Sequence, residues 1–362
     1  MNKIEFGDCR ETMRKWASQG VKAQTCVTSP PYYGLRDYGT GKWIGGDENC
    51  SHKRDSKYSD KTITGHANKD LTVGDAIYKS ICPKCGAVRE DRQLGLEETP
   101  EEYIKAMVEV FRCVWDVLED DGTLWLNIGD SYYNYRPGKG QALVQQSVSN
   151  NIQDLPQVCA RRGNKLEGLK EKDLIGIPWM LAFALRADGW YLRQDIIWHK
   201  PNPMPESVGD RCTKSHEYIF LLSKSRKYHF DHEAIKEPLK GEPETRDKNA
   251  EGYQADYSKG DRFSKGERVF GADGMANKRS VWSVPVKPYS GAHFAVFPSE
   301  LIEPCILAGA PLGGIVLDPF MGSGTTAQVA QDLGRQYIGC ELNPEYGKLQ
   351  KKRTAQTSLD FA

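Results

Sequence analysis

The stretch Asp318-Pro319-Phe320-Met321-Gly322-Ser323-Gly324-Thr325-Thr326 lies between a short apolar run at 314–317 and a helical pattern at 325–333. Glycines between a strand and a helix let the backbone approach a ligand closely, and the first helical turn offers unpaired N–H groups. Glu341 ends the next apolar run, and a carboxylate in that place can bind the two hydroxyls of a ribose. The stretch lacks the G-K-[ST] of a phosphate loop and a full G-x-G-x-x-G. It therefore predicts a strand, turn and helix that bind a nucleoside cofactor.

Strand-like and helix-like patterns alternate along the rest of the chain, which favours a mostly parallel sheet with helices on both faces. One helix begins at Thr99-Pro100-Glu101-Glu102, where a threonine cap and a glutamate three residues later form a capping box. Three long polar stretches interrupt the pattern. We predict one discontinuous α/β domain, 1–38 and 92–362, with insertions at 39–91, 132–173 and 239–280.

The composition is that of an ordinary globular protein: 362 residues, 39% of them hydrophobic and 27% charged. No apolar run approaches the ~20 residues that span a bilayer, and the first residues lack the apolar stretch of a secretory signal. We therefore expect a cytoplasmic protein with no membrane partner. The formal net charge of zero argues against a general polyanion binder but permits a local basic groove.

The glycine-rich stretch resembles the cofactor motif of the amino-methyltransferases that act on DNA. In that family the motif binds S-adenosylmethionine, and the acidic residue that ends the following strand, here Glu341, holds the ribose. The resemblance also implies that Asp8 contacts the adenine, that Phe297-Pro298 packs on the methionine part, and that Asn343 belongs to the same site. The cofactor contacts it implies within the motif are Asp318, Pro319, Phe320, Gly322, Ser323, Gly324, Thr325 and Thr326.

A second motif, Thr28-Ser29-Pro30-Pro31-Tyr32, follows a short β-branched run near the N-terminus. Two consecutive prolines take the chain out of the sheet as a rigid, extended loop. The exocyclic amine of cytosine or adenine is a poor nucleophile, and acceptors aimed at its N–H groups, here Ser29 Oγ and the Pro30 carbonyl, would activate it. The ring of Tyr32 offers a face on which a flipped base can stack. We predict that Ser29, Pro30, Pro31 and Tyr32 carry the chemistry.

The order of the two motifs resembles the permuted, beta-class arrangement of these enzymes, with Ser-Pro-Pro-Tyr near the N-terminus and the cofactor loop near the C-terminus. The resemblance covers nearly the whole chain outside the insertions. It implies a methyltransferase (Rossmann-like) fold with a mostly parallel, seven-stranded sheet, and double-stranded DNA as substrate. It also implies the cytoplasm of a prokaryotic or phage-infected cell, and it leaves open a homodimer and a cognate restriction enzyme.

The chemistry of the target base has alternatives. Serine at the first place of the tetrapeptide is commoner among N4-cytosine enzymes of this family and aspartate among N6-adenine enzymes, so Ser29 favours cytosine. A C5-cytosine enzyme needs an attacking thiol, and Pro304-Cys305 lies in an apolar helical pattern typical of a core. Protein-glutamine enzymes typically show Asn-Pro-Pro-Tyr. An RNA methyltransferase and a non-catalytic, zinc-containing DNA-binding protein are the remaining alternatives.

Four side chains in the first insertion have the spacing of zinc ligands. Cys50-x-His52 and Cys82-x-x-Cys85, the latter followed by glycine, form the pattern of a zinc knuckle, and four N or S ligands close a structural tetrahedron. His66 is an alternative to His52. A redox pair would normally open a helix in a thioredoxin-like unit, which is missing here. We predict a structural Zn²⁺ that holds the insertion 39–91 together.

Three further residues are candidates for the base pocket. Asp130 ends a predicted strand at the carboxyl edge of the sheet, where ligands bind in such folds. Lys200 and Asn202 follow another strand in a loop that resembles one lining the base pocket of the family. Sequence recognition is expected in the insertions 132–173, which has the clearest basic excess, and 239–280.

Overall fold

A computed structural model provides the fold of the chain. It describes residues 1–34, 40–52, 81–82, 84–133, 166, 168–239, 244–246, 268–270, 274–287 and 297–355. Most of the three predicted insertions lies outside these residues, so their boundaries stay predictions. In the described part of the chain, no helix combines the length and apolarity needed to cross a membrane.

The helices begin and end close to where the sequence patterns place them. Thr99 accepts a hydrogen bond from the N–H of Glu102 while the Glu102 side chain reaches back to the cap, which confirms the predicted capping box. The helices, α1 to α6, are Cys9–Ser18, Pro100–Val117, Ile177–Ala187, Ser299–Gly309, Thr325–Asp332 and Gly347–Thr354.

Among the residues that the structure describes, eight strands form one sheet, and the other strands form short two-stranded pairs. The strands, β1 to β14, are Asn2–Phe6, Ala23–Thr28, Lys42–Ile44, Val88–Glu90, Leu118–Ile128, Tyr191–His199, His216–Ser223, Glu237–Pro238, Glu244–Arg246, Arg268–Phe270, Met275–Ala276, Val281–Ser283, Ile315–Asp318 and Gln336–Glu341. The order in the large sheet is β1-β14-β13-β2-β5-β7-β6-β12, and every neighbouring pair is parallel except those of β7 with β5 and with β6.

The predicted α/β class and the mostly parallel sheet are therefore confirmed. The sheet has one strand more than the expected seven, and the short edge strand β12 accounts for the difference in size, since it has three residues and pairs with β6 alone. A run of three residues is too short to show a period-2 pattern against its surroundings.

Helices cover both faces of the sheet. Successive residues of β5 point to opposite faces: Leu124 and Leu126 belong to the core under α1, α2 and α3, whereas Trp125 belongs to the core under α4 and α5. This alternation is the period-2 geometry of a strand. Because both faces are apolar and covered, polar chemistry can be placed at the carboxyl ends of the strands.

Candidate active site

A cavity of about 640 Å³ opens at the edge of the sheet where β1, β2, β5, β6, β13 and β14 end. The segments that follow these strands line it, including Gly7-Asp8, Ser29–Tyr32, Gly129-Asp130 and Lys200. The glycine-rich turn and Glu341 complete the same wall. The carboxyl ends of parallel strands thus bring the two sequence motifs, about 290 residues apart, into one cavity, as expected for this type of sheet.

Asp318 organises the glycine-rich turn from inside. Its side chain is 1% exposed and accepts hydrogen bonds from the hydroxyls of Thr28 and Thr326, each at 2.6 Å, and from the N–H of Phe320 at 2.9 Å. Burial raises the pKa of Asp318 to about 6, although these hydrogen bonds oppose the rise. The carboxyl group therefore ties the end of β2, which leads into Ser29, to the glycine-rich turn.

Glu341 lies at the end of β14 with its carboxylate against the turn. One oxygen accepts from the N–H of Gly322 and the other from the N–H of Asn343, each at 2.8 Å. Burial raises the pKa of Glu341 to about 7, against the lowering effect of these two bonds. Each oxygen has a further lone pair, so the carboxylate can still accept from a diol such as the 2′ and 3′ hydroxyls of a ribose.

The structure separates the other predicted cofactor residues into two groups. Asp8 and Phe297 line the cavity together with most of the turn, whereas Pro298, Gly324 and Thr326 are not among the lining residues. Thr326 instead bonds Asp318, and Gly324 takes a left-handed φ of 90° at the start of α5. The lining residues of the turn are Asp318, Pro319, Phe320, Met321, Gly322, Ser323 and Thr325.

Asp8 has a structural partner as well as its place at the cavity. Its carboxylate caps α1 through the N–H of Arg10 and binds the guanidinium of the same residue at 2.6 Å. Burial alone would raise the pKa of Asp8, but the bonds from Arg10 outweigh it and hold the pKa below its ordinary value. Asp8 is therefore an ionised acceptor at the cavity wall, between α1 and the glycine-rich turn.

The Ser-Pro-Pro-Tyr segment leaves β2 directly into the cavity. The hydroxyl of Tyr103 donates to the carbonyl of Pro31 at 2.9 Å, which fixes the loop against α2. The hydroxyl of Tyr32 donates to Glu217 at 2.8 Å. Burial and the nearby Glu217 carboxylate raise the pKa of Tyr32 well above its ordinary value, so the phenol stays a neutral donor.

Several residues that the sequence reasoning did not select also line the cavity. Glu217 is one of them and is the second residue of β7. Because β7 is antiparallel to its neighbours, its amino end lies at the edge where the other strands have their carboxyl ends. The only available signal was the polar pair His216-Glu217 before an apolar run. The loop before β7 adds two cationic side chains to the lining, Arg211 and Lys214.

The three predicted base-pocket residues have different environments. Asp130 lines the cavity, but its carboxylate accepts from the N–H groups of Gly176 and Ile177 and so caps α3. Lys200 lines the cavity and pairs with Glu217. Asn202 is not among the lining residues, because its amide makes two bonds to the backbone of Val286, at 2.9 and 2.8 Å, which anchor the loop after β6.

The buried cysteines are not candidates for a nucleophile. Cys305, predicted to lie in a core, is 1% exposed in α4, and burial raises its thiol pKa far above the ordinary value. Cys26, Cys113 and Cys340 are also buried. A buried thiol with a raised pKa is inert as a nucleophile, and the described part of the cavity contains only Cys9, itself buried beside Asp8.

The four predicted metal ligands converge away from the main sheet. The ligand atoms of Cys50, His52, Cys82 and Cys85 all lie within 4.8 Å of one another. Cys50 Sγ is 3.9 Å from Cys82 Sγ, and Cys85 Sγ is 3.6 Å from His52 Nδ1. The four residues lie in the segments between β3 and β4, two short strands that pair antiparallel. His66, the alternative ligand, lies outside the described residues.

Solved structures of other proteins share this fold. The PvuII DNA methyltransferase, described as cytosine-N4-specific, superposes with a TM-score of 0.52 at 14% identity, covering 99% of this chain and 88% of that one. A putative DNA modification methylase from Thermus thermophilus, solved with S-adenosyl-L-methionine, gives 0.51 at 20% identity, with 100% and 96% covered. The fold is that of the S-adenosylmethionine-dependent methyltransferases.

Sequence relatives define the family. Residues 23–352 match the N6/N4 methyltransferase family model, described as DNA methylase. The Type II methyltransferase M.SmaI of Serratia marcescens is 42% identical over 354 residues, which cover 97% of this chain and 90% of the relative. The Type II methyltransferase M.Cfr9I of Citrobacter freundii is 40% identical over 340 residues, covering 94% and 83%. The chain belongs to the N6/N4 family of DNA methylases.

Proposed function

We propose that this chain transfers the methyl group of S-adenosylmethionine to an exocyclic amine of a base in double-stranded DNA. The observation that carries the proposal is that Ser29–Tyr32 and the glycine-rich turn line one and the same cavity. Direct transfer requires the donor and the amine to be held in line at van der Waals distance. A cavity lined at one end by a nucleoside-type turn and at the other by Ser-Pro-Pro-Tyr provides both positions.

The cofactor would occupy the side formed by the glycine-rich turn. Glu341 would accept from the ribose hydroxyls, and Phe320 would offer an apolar contact beside the backbone of the turn. Asp8 would accept from the adenine amine. The bound cofactor supplies an electrophilic methyl group. The residues of this chain bind and orient it.

The target base would occupy the side formed by Ser29 and Tyr32. Ser29 Oγ and the Pro30 carbonyl would accept from the amine and pull its nitrogen toward a tetrahedral, nucleophilic form. The ring of Tyr32 would stack on the base after it leaves the duplex, which is how enzymes reach a base that is otherwise stacked. No nucleophilic side chain is needed, because the sulfonium donor is already activated.

We favour the N4 amine of cytosine over the N6 amine of adenine. Ser29 occupies the position where N6-adenine enzymes of the family more often have aspartate. The PvuII enzyme, which shares the fold, is described as cytosine-N4-specific. A homodimer, a cognate restriction enzyme and the recognition roles of 132–173 and 239–280 stay predictions.

The proposed activity is tested by incubating the purified chain with labelled S-adenosylmethionine and, separately, duplex DNA, RNA and a protein mixture. We expect label in DNA and none above background in the other two acceptors. Ser29→Ala should remove most of the label while cofactor affinity, measured by calorimetry, stays within about twofold, because Ser29 lies on the base side. Label in RNA or protein instead of DNA would contradict the proposal, and digestion of labelled DNA to nucleosides identifies the amine.

We also propose that the cysteine and histidine cluster binds one structural Zn²⁺. Tetrahedral zinc with bonds of about 2.3 Å to sulfur and about 2.05 Å to nitrogen places two sulfurs about 3.8 Å apart and sulfur about 3.6 Å from nitrogen. The separations of 3.9 Å and 3.6 Å in the structure fit these values. Backbone N–H groups of Ala87 and Asp47 lower the pKa of Cys85 to about 6, which favours the thiolate that zinc prefers.

Metal analysis of the purified protein tests the zinc proposal. We expect about one equivalent of zinc per chain, and its loss from the Cys82→Ser variant, because removing one of four ligands opens the tetrahedron. Cys212→Ser, which changes an exposed cysteine outside the cluster, is the matched control and should keep the metal. Less than half an equivalent in the wild-type protein would contradict the proposal.

A further inference from the structure

Glu217 meets Tyr32 because of the direction of β7. The strand begins at His216 and runs antiparallel to β5 and β6, so its second residue faces the cavity at the edge where β2 ends. Asn127, at the end of β5, lies beside it: its amide nitrogen donates to the carbonyl of Tyr218 at 3.1 Å and lies 3.5 Å from Glu217 Oε2. The backbone of Glu217 is therefore fixed by its place in a strand of the sheet.

The two oxygens of Glu217 have different partners. Oε2 accepts from the hydroxyl of Tyr32 at 2.8 Å, and Oε1 binds the ammonium of Lys200. The side chains of Glu217 and Lys200 are only 16% and 18% exposed. A hydrogen bond from a neutral phenol to an ionised carboxylate is stronger than one between neutral groups, and shielding from water strengthens it further.

The ring of Tyr32 is also confined on one edge. A Cβ added to Gly129 would lie 2.7 Å from Tyr32 Cε2 and 3.3 Å from the carboxyl carbon of Glu217. The missing side chain of Gly129 therefore leaves the space that the ring and the carboxylate occupy. With its hydroxyl bonded at one end and its edge against the backbone of Gly129, the ring has little freedom to rotate or swing.

We propose that Glu217 is a positioning residue that fixes the ring of Tyr32, through its hydroxyl, in the orientation that receives the flipped base. This inference rests on the proposed function, since it assigns Tyr32 as the surface on which the base stacks. Lys200 binds the other oxygen of Glu217 and gives the carboxylate a cationic partner in a partly enclosed cavity. Because the ring is fixed before the base binds, less conformational entropy is lost on the way to the transition state.

A double-mutant cycle tests this inference. Glu217→Gln keeps the size of the side chain but loses the charge, and Tyr32→Phe removes only the hydroxyl. We expect each single variant to lower kcat/KM for DNA by about tenfold, the effect of losing one hydrogen bond to a charged group. The double variant should be no worse than the poorer single variant by more than about twofold, because both changes remove the same charge-assisted hydrogen bond. The Kd for S-adenosylmethionine should stay within about twofold in all three.

The matched control is Glu233→Gln, which neutralises an exposed glutamate that also pairs with a lysine, Lys236 at 2.8 Å, outside the cavity lining. It should retain wild-type kcat/KM. The inference is overturned if Glu217→Gln behaves like this control, or if the two losses multiply in the double variant, as they would for two independent effects. Absence of label in DNA with the wild-type enzyme would instead overturn the proposed function, and the inference with it.

Discussion

Replacing Tyr32 with alanine should lower methyl transfer to DNA by about 10- to 100-fold, the effect of losing one aromatic stacking partner for a base. The ring lines the cavity, and Tyr32 follows Ser29-Pro30-Pro31 directly in the sequence. Single-turnover rates with duplex DNA and labelled cofactor measure the effect. Tyr32 forms its hydrogen bond with Glu217 and not with the glycine-rich turn or Glu341. Cofactor affinity should therefore stay within about twofold.

Tyr191→Ala is the matched control for this substitution. Tyr191 is 45% exposed at the start of β6 and is outside the cavity lining. Its removal should leave both transfer rate and cofactor affinity unchanged. If Tyr32→Ala abolished cofactor binding, or transferred methyl groups as fast as the wild type, the assignment of Tyr32 to the base would be wrong.

Cofactor affinity should depend on pH through Glu341. The pKa of this carboxyl is about 7 instead of its usual 4.5 because of burial. The ionised form accepts from a ribose diol, so binding is strong above about pH 7 and weakens by up to about tenfold for each pH unit below it. The same raised pKa means that ionisation of Glu341 destabilises the cofactor-free protein. Its free energy of unfolding should therefore fall as pH rises from 4.5 through about 7.

Calorimetric titration of S-adenosylmethionine from about pH 5.5 to about pH 8.5, a range that brackets the shifted pKa, measures this dependence. Glu341→Gln should bind about 10- to 100-fold more weakly at about pH 8 and lose most of the pH dependence, because the amide has a single acceptor oxygen that does not titrate. Glu345→Gln, an exposed glutamate outside the lining, should keep the wild-type profile. A flat wild-type profile would contradict the role of Glu341.

The class of fold and the two motifs were predictable from the sequence because each depends on local pattern. Apolar runs that end at Thr28, Ile128 and Glu341 mark strands, and a parallel sheet brings their ends to one edge. The spacing of Cys50, His52, Cys82 and Cys85 likewise predicted a cluster before the geometry was known. Local patterns of this kind need no knowledge of distant contacts.

Glu217 could not be predicted as part of the site for a physical reason. Its place depends on the reversed direction of β7, and the direction of a strand is set by long-range pairing and not by its own residues. Two predicted residues have roles that depend on long-range contacts in the same way: the Asn202 amide bonds the backbone of Val286, and Asp130 caps a helix that begins 47 residues later. Each of these roles depends on a contact between segments that the sequence does not pair.

The central claim is that the amine of a DNA base is methylated, with cytosine N4 favoured, and nucleoside mass spectrometry tests it most directly. Duplex DNA is incubated with the enzyme and isotopically labelled S-adenosylmethionine, then digested completely to nucleosides. The predicted result is labelled N4-methylcytosine, which disappears with Ser29→Ala. Labelled N6-methyladenine would confirm amine methylation and contradict the choice of cytosine. Labelled 5-methylcytosine, or no labelled nucleoside, would contradict the account.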